Sequence, residues 1–210
     1  MLLRFVILCF LLTPAMATAS LNTILIVGDS LSAGYGLSSA DDGWVSLLQQ
    51  RLQQQGLPYR VVNASITGDT TRGGLARLPQ TLQRELPAVV VIELGGNDGL
   101  RGFSLDYTRN NIAGMIELSR QSGARVLLLG VQLPVNYGNR YREKFQQIFV
   151  DLAEQQQTAL VPSFLHGAES LEQMQPDGIH PAAHAQLQLL DNVWPKLLPL
   201  LQQDVQQAAQ

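Results

Sequence analysis

The chain has 210 residues, 46% of them hydrophobic and 15% charged, with a formal net charge of −3; this suits one domain with a substantial core. Lysine and arginine form no block, which argues against a nucleic-acid partner. The mild acidity indicates little beyond solubility. The first residues read as an export signal. Met1-Leu-Leu-Arg4 is a short positive start, Phe5 to Leu12 is a dense apolar run, and Ala17-Thr18-Ala19 is the small-x-small pattern that a signal peptidase cuts. The apolar run is shorter than the roughly 20 residues that a bilayer anchor needs. Residues 1–19 are therefore expected to be cleaved, leaving 20–210 as a single periplasmic domain without a stable membrane anchor, secretion beyond the periplasm being open. Cys9 is the only cysteine and lies inside this segment, preceded by Leu8 rather than by a small residue, so lipidation is not expected. The remaining chain can form no disulfide, thiolate nucleophile or cysteine metal site.

Apolar runs alternate with amphipathic stretches from there on. Thr23-Ile-Leu-Ile-Val27, ending at Gly28, reads as a buried parallel strand. Trp44, Leu47, Leu48 and Leu52 recur at helical spacing, with Gly56 as a stop. Tyr59 to Val62 reads as a second strand, and Asp69 or Thr70 can cap a helix carrying Leu75, Leu78, Leu82 and Leu86, its start weakened by Gly73 and Gly74. Ala88 to Ile92 is the clearest strand. A helix over 105–121 leads to a strand at 125–129, and a helix over 141–155 leads to a short strand at 159–161. A last helix is expected from Pro181, kinked or broken at Pro195, with a frayed Gln-rich end from Gln202. Five strands separated by helices imply one parallel sheet covered on both faces: an α/β, three-layer α/β/α architecture.

The unusual motifs fall just after strand ends: Gly28-Asp-Ser-Leu-Ser32, Thr67-Gly68-Asp69 and Gly95-Gly-Asn-Asp98. Open α/β sheets bind ligands outside the carboxyl ends of their strands. With strand order 2-1-3-4-5, all three loops converge on one crevice. A serine there can serve as a nucleophile if it has a base and an orienting acid. Outside the leader the histidines are His166, His180 and His184. His180 lies in Asp177-Gly-Ile-His-Pro181, where a turn at Gly178 can fold the Asp177 carboxylate back onto the imidazole. The carboxylate would hold one ring nitrogen and leave the other to accept a serine proton. Pro181 restricts His180 to an extended backbone and suits the first position of the next helix. Taken alone, Asp-x-x-His is more often a plain surface turn, and His166 and His184 are expected to be surface residues.

The blocks Gly28-Asp29-Ser30-Leu31-Ser32, Gly68, Gly95-Gly96-Asn97-Asp98 and Asp177-Gly178-Ile179-His180-Pro181 resemble, in order, those of the SGNH/GDSL hydrolase superfamily. Asn63 to Asp69, Gly74 to Pro79, Glu93 to Gly102 and Leu133 to Gly138 are similar to its bacterial periplasmic thioesterase and lysophospholipase group. The resemblance implies a flavodoxin-like fold. It implies Ser30 as nucleophile, His180 as base and Asp177 as the residue orienting His180. The Ser30 and Gly68 backbone N–H groups and the Asn97 amide would form the oxyanion hole. Asp29 is expected to bond nearby backbone N–H groups, and Asp98 to shape the turn after Asn97. Pro134, Val135, Asn136, Tyr137 and Gly138 are either a plain connector or a loop lining an acyl site.

The expected activity is hydrolysis of esters and thioesters with a medium or long acyl chain, without metal or organic cofactor, on a small-molecule substrate. An enzyme acting on acetylated carbohydrate shares every one of these residues. A flavodoxin-like binding module with a phosphate at a strand end is the reading from another class, and it leaves Asp177 and His180 unused. A monomer is expected.

Overall fold

The computed structural model describes the backbone of residues 21–208 and the side chains of 21–202; the expected leader, with Cys9, lies outside them. Five strands form one sheet: β1 (Asn22–Gly28), β2 (Tyr59–Asn63), β3 (Val89–Glu93), β4 (Arg125–Leu129) and β5 (Ala159–Val161). Their order is β2-β1-β3-β4-β5 and every pair is parallel. Residues 24–27 of β1, 89–92 of β3 and 127–129 of β4 are fully buried. Both faces of these central strands are covered, which is why they read as continuous rather than alternating apolar runs.

The helices are α1 (Ser30–Ala33), α2 (Trp44–Gln54), α3 (Thr71–Glu85), α4 (Gly96–Leu100), α5 (Leu105–Gln121), α6 (Asn139–Gln155) and α7 (Gln186–Ala208). Helix α5 packs against both α3 and α6, and α2 packs against α7, giving helices on both sides of the sheet. Trp44 of α2 meets Phe164 edge-on, with ring centroids 5.4 Å apart, deep in the core. Each such large apolar side chain contributes about 1.5–3 kcal/mol on burial.

Two expectations about the last helix are corrected. It starts at Gln186 rather than Pro181, because the Ala182 N–H donates to the Gln173 carbonyl (2.8 Å) and the Gln175 N–H to the His180 carbonyl (2.7 Å). These bonds hold residues 180–182 extended against 173–175, with a bridge between Met174 and Pro181. The helix also runs unbroken through Pro195 and Pro199, and through most of the Gln-rich end to Ala208. Both prolines, and Asp191 one turn before Pro195, lie on the exposed face. The carbonyls that lose their helical donors there face water. The opposite face buries Leu189, Leu190, Val193, Leu197 and Leu201, which holds the rod to the core. Arg51 of α2 braces it from outside, bonding Asp191 at 2.7 Å and lying 5.5 Å over the Trp194 ring.

Thr70, not Asp69, caps α3, accepting from the Gly73 N–H at 3.3 Å; Asp69 instead pairs with Arg77 at 2.9 Å. At the other end of α3, Leu86 adopts a left-handed backbone (φ 45°, ψ 57°) while 79% exposed. That conformation strains a residue with a Cβ by about 1 kcal/mol or more, and little packing opposes its relief. Leu86→Gly is therefore expected to raise the melting temperature by about 2–4 °C. A lowered melting temperature in a thermal scan would reject the strain.

Candidate active site

Three loops at the carboxyl ends of β1, β2 and β3 converge, as the strand order requires. The apolar run of β1 stops at Gly28, and buried Asp29 then caps α1, its Oδ1 accepting from the Leu31 N–H at 3.1 Å. Ser30 is thereby fixed as the first residue of a single helical turn, which the Ala33 N–H closes on the Asp29 carbonyl at 2.9 Å. Its hydroxyl projects toward the loop that carries His180.

That loop is built around Asp177. One carboxylate oxygen accepts from the backbone N–H groups of Ile179 (2.9 Å) and His180 (3.0 Å). The other accepts from the His180 Nδ1–H at 2.6 Å. The fold-back needs a left-handed residue at the turn, and Gly178 supplies it at φ +66°. With Nδ1 so engaged, Nε2 is the acceptor, and the Ser30 Oγ–H donates to it at 2.8 Å. The Tyr35 ring lies against the imidazole at 4.7 Å, and the Gln175 side-chain amide ties the Tyr35 carbonyl to the Pro181 carbonyl. Desolvation raises the Asp177 pKa, but the hydrogen bonds from the His180 ring, the His180 N–H and the Ile179 N–H outweigh it. Together they hold the group down at about 2. A hydroxyl with an acceptor for its proton, and an imidazole oriented by a carboxylate, can carry out nucleophilic attack and general-base chemistry.

The remaining motif residues lie around the same cavity. Gly68, at φ +78°, and Asn97, in the first turn of α4, line it together with Ser30 and His180. The Asn97 amide donates one hydrogen to Asp29 Oδ2 at 3.0 Å. Arg101 donates to the Gly68 carbonyl at 3.0 Å, joining the second and third loops. Burial raises the Asp29 pKa to about 6, against the lowering effect of its bonds from Leu31 and Asn97. The cavity measures about 600 Å³, within the range of small-molecule sites. Leu100, Val131, Leu133, Pro134, Val135, Leu165, Leu171, Met174 and Ile179 supply most of its wall, with Arg142 and Glu169 as the charged side chains remote from Ser30 in sequence.

Some expectations are met and others are not. Ser30, Asp177 and His180 are brought into one hydrogen-bonded chain. Asp29 does bond a backbone N–H, and it holds Asn97 as well. Asp98 does not shape its own turn with its side chain. It is fully buried and reaches across to α3, accepting from the Thr71 N–H (2.9 Å) and hydroxyl (2.5 Å), because the first N–H groups of a helix have no intrahelical partner. Of the loop after β4, Pro134 and Val135 line the cavity, and the Tyr137 hydroxyl donates to the Leu100 carbonyl at 2.9 Å. Asn136, Tyr137 and Gly138 do not contribute to the wall. His166 is exposed, and exposed His184 bonds only the Glu172 carbonyl, at 3.0 Å. The wall segment holding Leu165, Leu171 and Met174 carries no motif, so nothing in the sequence marked it. Glu93, whose Oε2 accepts from the Ser32 hydroxyl at 2.7 Å, was not picked out, although an acid closing an otherwise apolar strand is a visible signal. Among the described residues, no cluster of three or more histidine or acidic side chains could hold a metal ion.

Residues 26–186 match the model of the GDSL-like lipase/acylhydrolase family. The chain is 56% identical over 194 residues to the esterase TesA of Pseudomonas aeruginosa, covering 92% of this chain and 96% of that one. It is 42% identical over 196 residues to the Escherichia coli thioesterase 1/protease 1/lysophospholipase L1, covering 93% and 92%. A crystal structure of TesA superposes with a TM-score of 0.84 at 58% identity, covering 85% of this chain and 99% of that chain. The chain belongs to the GDSL-like lipase/acylhydrolase family and is an ester-hydrolysing enzyme of the SGNH type.

Proposed function

We propose that Ser30 is the nucleophile, His180 its base and Asp177 the carboxylate that orients the base. The observation that carries this reading is the unbroken chain from Asp177 through His180 to Ser30, at 2.6 and 2.8 Å. Ser30 Oγ attacks the acyl carbonyl as its proton passes to His180 Nε2. The tetrahedral centre then collapses with protonation of the leaving alcohol or thiol by the imidazolium, leaving an acyl-serine. Water, deprotonated by the same nitrogen, releases the acid and restores the hydroxyl. The Ser30 and Gly68 N–H groups and the second Asn97 amide hydrogen would meet the oxygen on which charge develops.

The substrate is an ester or thioester of a medium or long acyl chain. The predominantly apolar wall of the cavity supports this, as do the activities named for the Escherichia coli relative. Residues 1–19 act as a cleaved signal, and the monomeric enzyme works in the periplasm on lysophospholipids or simple esters, with thioester cleavage as a capability. No helix among the described residues is long and apolar enough to cross a membrane.

A p-nitrophenyl ester series from acetyl to palmitoyl, run beside lysophosphatidylcholine and palmitoyl-CoA, tests the substrate. Each methylene buried in the cavity is worth up to about 0.8 kcal/mol, so kcat/KM is expected to climb several-fold per added carbon until the cavity is full. Activity confined to the acetyl ester would overturn the long-acyl reading in favour of an acetylesterase.

A further inference from the structure

Beneath the turn that carries Ser30 lies a carboxyl group to which no step of the reaction assigns a part. Glu93 ends β3, is fully buried, and stands opposite Gly28 in the β1–β3 register. Its Oε2 accepts two bonds from the nucleophile segment: the Ser32 hydroxyl at 2.7 Å and the Asp29 N–H at 3.4 Å. Its Oε1 is buried without any hydrogen-bond partner. A Cβ on Gly28 would stand 2.8 Å from both Glu93 Oε2 and Ser32 Oγ, so this contact needs the bare backbone. An acid at this depth disturbs an otherwise apolar strand and costs free energy by its burial.

We propose that Glu93 is a positioning residue for catalysis, clamping Asp29 and Ser32 on either side of Ser30 through one oxygen and thereby fixing both the nucleophile and, through Asp29, the Asn97 amide. The proposal rests on the assignment of Ser30 as nucleophile. Four links join strand end to oxyanion donor: Glu93 to Ser32, Glu93 to the Asp29 N–H, the Asp29 carboxylate to the Leu31 N–H, and the same carboxylate to Asn97. The Asn63 amide holds the Ser32 carbonyl from the β2 side at 2.8 Å. Two donors on one oxygen and no cation among its partners suit a neutral acid here. Burial, and then the neighbouring Asp29 carboxylate, push the Glu93 pKa well up, and a proton would sit on the partnerless Oε1, since Oε2 is already an acceptor. Glutamine reproduces that species: one accepting oxygen, and an uncharged donor where the acid carries its hydroxyl.

The test compares Glu93→Ala, Glu93→Gln and Ser32→Ala in the mature enzyme, with active sites counted by a fluorophosphonate. On p-nitrophenyl butyrate, Glu93→Ala is expected to lower kcat on the order of 10²-fold per titrated site, the cost of a misplacement near 1 Å, with KM unchanged. Glu93→Gln is expected to stay within about threefold of wild type. Ser32→Ala is expected to lose about tenfold, and to add almost nothing on top of Glu93→Ala. The proposal is overturned if Glu93→Ala turns over at the wild-type rate, whatever its melting temperature, or if Glu93→Gln is as slow as Glu93→Ala. Should Glu93→Ala fail to fold, Ser32→Ala decides alone, and a wild-type kcat there overturns the clamp. Failure of the wild-type enzyme to take up fluorophosphonate at Ser30 would instead sink the nucleophile assignment.

Discussion

Ser30→Ala is expected to lower kcat on the order of 10⁶-fold, the scale seen when a serine hydrolase loses its nucleophile. The substitution removes the single oxygen that bonds His180 Nε2 at 2.8 Å and leaves the cavity wall intact. Substrate binding should therefore survive, and KM should change far less than kcat. A residual rate above water, about 10³–10⁴-fold, would come from binding and the oxyanion donors. Hydrolysis of p-nitrophenyl butyrate by the purified variant is the measurement, and near-wild-type activity would exclude Ser30 as the nucleophile.

Asp177→Asn should cost about 10⁴-fold in kcat while leaving the fold in place, by analogy with the same change in an unrelated serine protease. The Asp177 carboxylate accepts three hydrogen bonds and donates none. An amide in its place has one oxygen to share among three donors. Turning its NH2 toward the ring forces the imidazole proton onto Nε2, where it faces Ser30 as a donor and cannot accept. The pH dependence follows from the same bonds. With a folded pKa of about 2 against an ordinary value of 3.8, this carboxylate stabilises the fold at all pH values above about 4. That contribution is lost as pH falls through about 2. Asp29 has the opposite sign. Its pKa is raised to about 6, so its ionisation costs stability progressively as pH rises from about 4 to 6, and nothing further above that. Activity lost between pH 4 and 6 thus cannot be charged to Asp177. A kcat profile of Asp177→Asn equal in height to wild type would reject the orienting role.

Much of this was legible in the sequence because two periodicities and a few turn signals were strong. The buried strands show as unbroken apolar runs, and once their order is taken as 2-1-3-4-5 the loops bearing Ser30, Gly68 and Asn97 must meet. Asp177 and His180 are three residues apart with a glycine between, so their pairing is local. What escaped depends on contacts between distant segments. The extended backbone of His180 was legible from Pro181, but the extension continues through residue 182 by pairing with residues 173–175, where Pro181 suggested a helix start. Helix α7 survives two prolines because its opposite face is anchored in the core and its outer face is wet. Asp98 serves a helix that starts 27 residues earlier in the chain. Local rules favour a bond within its own turn, and only the approach of Thr71 at the start of α3 redirects it. The 162–176 wall of the cavity follows no periodicity at all.

The His180 mount has a temporal consequence. Ser30 and His180 are separated by 150 residues, and the strip that stiffens the histidine, residues 173–182, follows all five strands in chain order. During synthesis the sheet, the Ser30 turn and both neighbouring loops can be complete while Ser30 still lacks its bond to His180. On this assignment, a chain stopped before residue 173 would carry an inert serine however well its strands paired. If His180 is the base, hydrolysis begins only when the segment carrying it docks beside Tyr35, so the order of the chain keeps Ser30 silent until every strand of the sheet beneath it has been made.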